Sequence, residues 1–391
     1  MALALRMNVL VLNAGSSSLK FDLWETSPEQ LQADTNVLLA QGVLERLSNI
    51  PEALNTVFDI VFEKARGARV DAVGHRIVHG GDRYFLATRI DAQVERDIEE
   101  LGALAPLHNP HNLAGIRAAR ERLPLAVHVA VFDTAFHHTL PPCSYIYGLP
   151  YEYLTEKKIR RYGFHGISHR YVTRNFAELN SANSGGKTRG EYRLITCHLG
   201  NGCSICAVEY GKSVDTSMGF TPLEGLMMGT RSGDVDAGAI LHLITHEKMG
   251  AEDVLQLLNS QSGLKGVSGV SNDMRDVLRA VGAGNERARL SVDAFCYRLR
   301  KYIGSYLAAM NGADALIFTG GIGENSAEIR SRVCDGLSNL GMGIDPVANA
   351  SESHEARQIG TSAIPVWVVP TQEELLIAHD TMRVVLGLPH Q

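Results

Sequence analysis

The sequence predicts a two-domain α/β protein whose halves are built to one design, and three observations carry that prediction. An apolar run at 9–12 breaks at a polar, glycine-containing turn and resumes as an alternating run at 19–24. The stretch 192–208 repeats the plan, with Gly15 and Gly200 at the same place in the two turns. A chain of 391 residues that is 45% apolar fills two cores of ordinary size without disulfides or structural metal. The identity between the halves is too low to prove a repeat, but paired glycine-turn hairpins are the layout expected of a duplicated fold.

Taken in order, Val9-Leu-Val-Leu12 and Leu19-Lys-Phe-Asp-Leu-Trp24 read as a hairpin with one buried and one half-buried strand. Residues 1–6 look weakly like a signal peptide. The apolar run continues without a cleavage segment into Asn13, so they are read as a dispensable extension. A strand is expected at 70–78, helices at 91–104 and 111–122, and a strand at 126–132 that ends in Asp133-Thr134. Pro141-Pro142 breaks the chain, and the domain boundary is placed there. A helix near 167–180 precedes the polar loop 181–190. Its Gly186-Lys-Thr188 invites comparison with a P-loop, but Ser181 stands where the first glycine belongs. The order is also wrong, because a P-loop joins a strand to a following helix. After 192–208 come helices near 234–247, 251–259 and 285–310. The strand at 315–319 leads into a glycine turn and a helix start, 366–369 is the last strand, and 373–386 is a closing helix.

The net charge of −6 is spread along the chain with no basic block, so neither nucleic acid nor an anionic membrane is an expected partner. No segment reaches the roughly 20 apolar residues of a transmembrane helix, and a soluble protein is expected. The six cysteines are irregularly spaced, which fits reduced thiols in a cytoplasmic protein better than a secreted disulfide framework. Cys203 and Cys206 lie on one expected strand three residues apart, hence on opposite faces and poorly placed to share a metal ion.

Three glycine turns follow apolar strands. Asn13-Ala-Gly-Ser-Ser-Ser-Leu-Lys20, including Ser16, and His198-Leu-Gly-Asn-Gly202 offer backbone N–H groups and hydroxyls to phosphate oxygens. Gly320-Gly-Ile-Gly-Glu-Asn325 lets a backbone approach a ligand closely at a helix start. Arg76, at a strand end, and Arg231, between glycines in Gly229-Thr-Arg-Ser-Gly233, suit bidentate recognition of carboxylate or phosphate. Asp133 stands where ligand-facing acids stand in open α/β sheets, and His165 is held between glycines. The pairs His75/His79 and His165/His169 are four apart, but no His-Glu-x-x-His or third ligand accompanies them, so zinc is disfavoured.

Together these motifs resemble the acetate kinases. The resemblance rests on 12–20, Gly-His-Arg-Ile-Val-His-Gly-Gly (74–81), Phe-Asp-Thr-Ala-Phe-His (132–137) and Tyr-Gly-Phe-His-Gly-Ile-Ser-His (162–169). It continues through 198–202, Met-Gly-Thr-Arg-Ser-Gly-Asp (228–234), Gly-Ile-Gly-Glu-Asn (321–325) and Glu-Glu-Leu-Leu-Ile-Ala (373–378). The motifs run in order through nearly the whole chain.

The resemblance implies the two-domain fold of the acetate and sugar kinase, heat-shock chaperone and actin superfamily, with ribonuclease-H-like halves and an interdomain nucleotide cleft. The N-terminal domain would be 1–140, completed by the C-terminal helix at about 376–391. The second domain, 141–375, would bind the nucleotide and form a homodimer. Carried over by position, Asn13 and Glu373 would hold Mg2+, with Mn2+ as the alternative. ATP would be bound by Lys20 and Ser16, by His198, Leu199, Gly200, Asn201 and Gly202, by Asp273, Met274 and Arg275, and by Gly321, Ile322, Gly323, Glu324 and Asn325. Arg76 and Arg231 would hold acetate and the transferring phosphoryl group. His165 would stabilise the transition state, Asp133 would be the catalytic acid residue, and Val78, Leu107, Phe164 and Pro222 would enclose the acetate methyl. Departures such as Ala237, Asn272, Gln372 and Cys203 touch no catalytic position. The expected activity is reversible, Mg-dependent acetate phosphorylation by in-line transfer. A propionate or butyrate kinase is the near alternative, and a non-catalytic nucleotide switch of the same fold the distant one.

Overall fold

The computed structural model describes residues 6–14, 18–33, 35–45, 50–64, 69–106, 108–181 and 190–390. The chain divides into two compact units, Met1–His138 with Gln372–Gln391, and Thr139–Thr371.

The first unit is organised by β1 (Met7–Ala14), β2 (Ser18–Thr26), β3 (Val37–Glu45), β4 (Ala72–Ile77), β5 (Thr88–Arg89) and β6 (Val127–Phe132). They form one sheet in the order β3-β2-β1-β4-β6-β5. β1 to β3 are an antiparallel meander, whereas β4 and β6 join β1 in parallel. Val9, Leu10, Val11 and Leu12 are almost wholly buried, which a continuous apolar run allows only in a strand covered on both faces. Leu10 and Leu12 pack with Phe21, Leu54, Phe58 and Val61, drawing the helix Ile50–Lys64 onto the sheet. The helix Glu373–Leu386 packs against β1, β4 and β6. It approaches so closely that a Cβ at Gly74 would collide with Thr381 Oγ1 and lie 2.8 Å from Ile377 Cγ2.

The second unit repeats the plan with β7 (Arg193–Leu199), β8 (Cys203–Glu209), β9 (Lys212–Thr216), β10 (Ala315–Thr319), β11 (Arg357–Gly360) and β12 (Val366–Val368). Their order is β11-β12-β10-β7-β8-β9. β7 to β9 are again an antiparallel meander, and β10 and β12 continue from β7 in parallel. Strand order therefore carries the duplication that the sequence left unproved.

The glycine run after β10 differs from the turn expected. Gly320–Asn325 is itself a helical turn. It opens with a positive φ of 76° at Gly320, where a Cβ would stand 2.9 to 3.1 Å from the backbone of Leu199, so a side chain is excluded twice over. The expected helix at 251–259 is α-helical only over Ala251–Gln256 and continues as a π-helical turn, Leu257–Gln261. No described helix is long and apolar enough to cross a membrane.

Candidate active site

Strand register builds the first cluster. Asn13 faces Lys20 across the β1–β2 pair. Leu12 pairs with His75 on β4, which brings the next residue, Arg76, alongside Asn13. Ile77 pairs with Phe132 on β6, so Asp133 emerges beside Arg76. Arg76 donates through Nη1 to Asn13 Oδ1 at 3.1 Å and through Nη2 to Asp133 Oδ2. From the N-terminus of the closing helix, Glu374 Oε2 lies 2.7 Å from Lys20 Nζ, and its Oε1 accepts a longer bond, 3.4 Å, from Asn13 Nδ2.

Three carboxylates, Asp133, Glu373 and Glu374, thus stand against two cations, Arg76 and Lys20, in a poorly hydrated corner. Burial alone would lower the affinity of Arg76 for its proton, but the carboxylates of Asp133, Glu373 and Glu374 outweigh it and hold the guanidinium firmly charged. Loss of water pushes Glu373 up to about 7. The neighbouring carboxylates of Asp133 and Glu374 add to the shift, against the opposing pull of Arg76 and Lys20. Asp22 rises to about 6 through burial and the charge of Glu374. Among the described residues, no three His, Cys, Asp or Glu side chains are grouped to hold a metal ion by themselves.

The chain leaving β4 is clamped by side-chain amides. Asn112 Oδ1 accepts from Val78 N and Asn109 Oδ1 from His79 N, each at 3.1 Å, and Thr134 Oγ1 accepts from Gly80 N at 3.0 Å. Asn112 Nδ2 also donates to Ala14 O at 2.7 Å, tying the ends of β1 and β4 together. Val78 is buried.

The second unit carries a different cluster. His165 has a φ of 56°, a left-handed conformation that costs a residue with a Cβ about 1 to 2 kcal/mol. Its Nδ1 bonds to Ser204 Oγ at 2.9 Å, and its ring lies 4.3 Å from that of His198. His198 is held by Ser168 through Nδ1 at 2.8 Å. Arg231 Nη1 donates to Pro222 O at 3.0 Å. A Cβ at Gly202 would stand 3.2 Å from His165 Nε2 and 3.6 Å from Arg231 Nη1. The hairpin turn thus keeps open a small space with a histidine and an arginine at its edge. Phe164 is buried at 1% exposure.

Beside this turn is a cavity of about 550 Å3. Of the residues expected at a nucleotide, Gly200, Asn201, Asp273, Met274, Arg275, Gly321, Ile322 and Asn325 line it, joined by Asn272, Leu278 and Ser326. Asn201 is fixed there through its carbonyl, which accepts from Gly229 N at 3.0 Å, and through Oδ1, which accepts from Asn272 Nδ2 at 3.0 Å. Arg275 folds back on Asp273, with Nη2 2.6 Å from Oδ2. Glu324 is a brace, its Oε1 accepting from Gly320 N at 2.8 Å and from Thr371 N at 3.1 Å. Gly323 packs on β10, His198 and Leu199 belong to β7, and Lys20 lies in the other unit. Ser16, Leu107 and the loop at 182–189 lie outside the described residues.

Sequence reasoning gives no role to Glu374, Ser204, Asn112 or Asn272, the last noted only as a departure from the family pattern. Glu374 was signalled by the doubled acid at a helix start. The others are small polar residues whose roles appear only when their partners, distant in the chain, are known.

Comparison with known proteins matches the acetokinase family over residues 8–379. An acetate kinase of Solibacter usitatus is 46% identical, over 98% of this chain and 100% of its own. The crystal structure of Porphyromonas gingivalis acetate kinase superposes with a TM-score of 0.87 at 41% identity, covering 97% of this chain and all of that one. A propionate kinase from Francisella tularensis gives the same TM-score at 38% identity, covering 97% and 100%.

Proposed function

The chain belongs to the acetokinase family, and on that premise we propose that it moves the γ-phosphate of ATP reversibly onto acetate, giving acetyl phosphate and ADP by direct in-line transfer. The observation that carries this reading is Arg76, a guanidinium held firmly charged at a strand end by Asn13 and Asp133. A simple carboxylic acid has a pKa near that of a Glu side chain, about 4.3, so the acceptor is already an anion at neutral pH. No base is needed to activate it. The barrier is the approach of one anion to another, and fixed cations lower it. We assign Arg76 and Arg231 to that task, with His165 as a hydrogen-bond donor to the transferring group. Asp133, pinned to Arg76 Nη2, orients the guanidinium and removes no proton from the acceptor.

The cavity lined by Asn201, Asp273 and the Gly320–Asn325 turn suits a nucleotide. Mg2+, with Mn2+ as an alternative, fits the first cluster on its charge balance: three carboxylates against two cations, with Glu373 pushed up to about 7. Mg2+ needs only one or two carboxylates, completing its shell with water and phosphate. Glu373 would hold it, with Asn13 acting through water because its amide oxygen already accepts from Arg76. When bound, the ion supplies charge neutralisation at the phosphates.

We further propose a homodimer built through the second unit. The helix Ala237–Thr245 buries none of its residues and exposes Leu241 and Ile244, and Val235 just before it is also exposed. Such a face favours a partner surface. Six cysteines outside any disulfide, five of them buried, fit a reducing cytoplasm.

Phosphorus NMR with Mg-ATP and, in separate tubes, acetate, propionate, butyrate and glycerol tests the reading. The expected result is an acyl phosphate signal with an equal amount of ADP, strongest for acetate. One methylene is worth only about 1 to 3 kcal/mol of discrimination in an apolar pocket, so a stronger propionate signal would move the acceptor and keep the mechanism. ADP without a phosphorylated acceptor would overturn the kinase reading.

A further inference from the structure

Behind His165 runs a buried chain of hydrogen bonds that ends at a hydroxyl. His165 Nδ1 meets Ser204 Oγ at 2.9 Å. The same Oγ meets His169 Nε2 at 2.8 Å, and His169 Nδ1 meets Thr196 Oγ1 at 2.7 Å. Ser204, His169 and Thr196 are each 0% exposed. Each hydroxyl has one proton, and a neutral imidazole donates from one nitrogen and accepts at the other. The chain therefore has two directions in which Ser204 donates to one ring and accepts from the other.

In the first direction Thr196 donates to His169 Nδ1, His169 Nε2–H donates to Ser204, and Ser204 donates to His165 Nδ1. His165 is then neutral with its proton on Nε2. In the second, every bond is reversed, and His165 carries a proton on Nδ1. An imidazolium at His165, whose Nδ1 must donate, either takes the second direction or has Ser204 accept from both rings, which strands the serine's own proton instead. The two directions differ at the far end. Among the described residues the Thr196 hydroxyl has one hydrogen-bond partner, His169 Nδ1. In the second direction that hydroxyl becomes the acceptor, and its own proton is left without a partner in a dry interior. A buried donor left unmade biases such an equilibrium about tenfold or more.

We propose that Thr196, acting through His169 and Ser204, is a positioning residue that holds His165 as the neutral tautomer with its proton on Nε2, and that His165 serves phosphoryl transfer as an uncharged donor. Nε2 is the ring nitrogen at the space kept open by Gly202, where Arg231 Nη1 also stands. Arg231 repels a second positive charge, which adds to the bias against an imidazolium. An Nε2–H there donates to an anionic oxygen, whereas the opposite tautomer would turn a lone pair toward it. The mechanistic part rests on the phosphotransfer reading above; the tautomer assignment does not.

The test is a long-range proton–nitrogen NMR spectrum of the histidine rings in the full-length protein, assigned by comparison with His165→Gln. The pattern separates the two neutral tautomers from the imidazolium. The expected result is an Nε2–H tautomer for His165 from pH 6 to 8 in wild type, and a mixture in Thr196→Val. An Nδ1–H or imidazolium pattern in wild type overturns the proposal whether or not the protein phosphorylates acetate. In turnover assays, Thr196→Val should lower kcat about tenfold with little change in KM for ATP, and Thr196→Ser, which keeps the donor, should restore it. Failure of the serine variant to restore kcat, with both variants folded, would reduce Thr196 to a packing role and overturn the proposal's kinetic part.

Discussion

Lys20 and Glu374, 354 positions apart in sequence, form an ion pair of 2.7 Å in which the carboxylate is buried and the ammonium half-exposed. The same carboxylate accepts from Asn13, so Glu374 links the first strand, the second strand and the closing helix at one point. It also raises both Glu373 and Asp22 by its charge. Replacing it with glutamine keeps the shape and removes that charge. Glu373 should then ionise at lower pH than about 7, and the acid limb of the pH–rate profile should move down with it. An acid limb that stays in place in Glu374→Gln would show that Glu373 is not the group titrating there.

Arg76→Ala removes a charge from two roles at once. In turnover it should lower kcat by 100-fold or more, the usual order for loss of a fixed donor at developing charge (~10²–10³), with modest change in KM for ATP. In stability it leaves Asp133, 1% exposed, without its cation, which costs about 3 kcal/mol. Activity assays and thermal melts separate the two, because Arg76→Ala with Asp133→Asn should regain stability without regaining rate.

Much of this arrangement was legible in the sequence because it follows from strand ends. Asn13, Arg76 and Asp133 each close an apolar run, and parallel strands in register bring their ends together. The closing helix, Glu373–Leu386, was read to its boundaries from its acidic start and apolar interior. The second-unit helix expected near 234–247 spans Ala237–Thr245; it starts three residues later because Asp236 caps it by accepting from Gly238 N at 2.9 Å and no periodicity marks a cap, and it ends two residues sooner. The strands β3, β9 and β11 and the helix Ile50–Lys64 went unread. β3 is an edge strand with Val37, Leu38 and Val43 exposed, so alternation of buried and exposed residues does not betray it. Ser204 and Asn112 carry no local signature either, since a buried hydroxyl or amide is meaningful only through its partner.

Gly202→Ala tests the space beside His165. The added methyl would stand 3.2 Å from the His165 ring and 3.6 Å from Arg231 Nη1, close enough to exclude an oxygen but not to break a buried contact. The expected outcome is a loss of at least about tenfold in kcat with a melting temperature near wild type and nucleotide binding retained. Retained turnover would mean that no reacting atom passes this turn.

Gly74→Ala probes the opposite kind of glycine, one that serves packing. Its Cβ would press on Thr381 and Ile377, and overpacking of this sort costs about 1 to 3 kcal/mol. Because the same helix begins with Glu373 and Glu374, the loss of stability should be accompanied by weaker response to Mg2+ in a thermal melt. A variant as stable as wild type would show that the helix accommodates the methyl by a shift.

Glu373 and Asp22 make the metal-free protein sensitive to pH in a direction fixed by their shifts. Both are acids raised on folding, from 4.5 to about 7 and from 3.8 to about 6. The folded state therefore binds more protons than the unfolded one across that range. The stability contributed by the protonated forms is fully present below pH 3.8 and is lost as the pH rises through about 6 and 7. In chelator, stability from these groups should fall between about pH 4 and 7 and level off above, and Glu373→Gln should flatten the slope by removing the larger of the two contributions near neutrality. Mg2+ with ADP binds the ionised carboxylate and should restore stability most at the alkaline end, as any ligand of the folded state does. Thermal melts across this range, with and without Mg-ADP, check all three outcomes. A slope in Glu373→Gln equal to wild type would remove Glu373 both as the titrating group and as the residue that holds the metal.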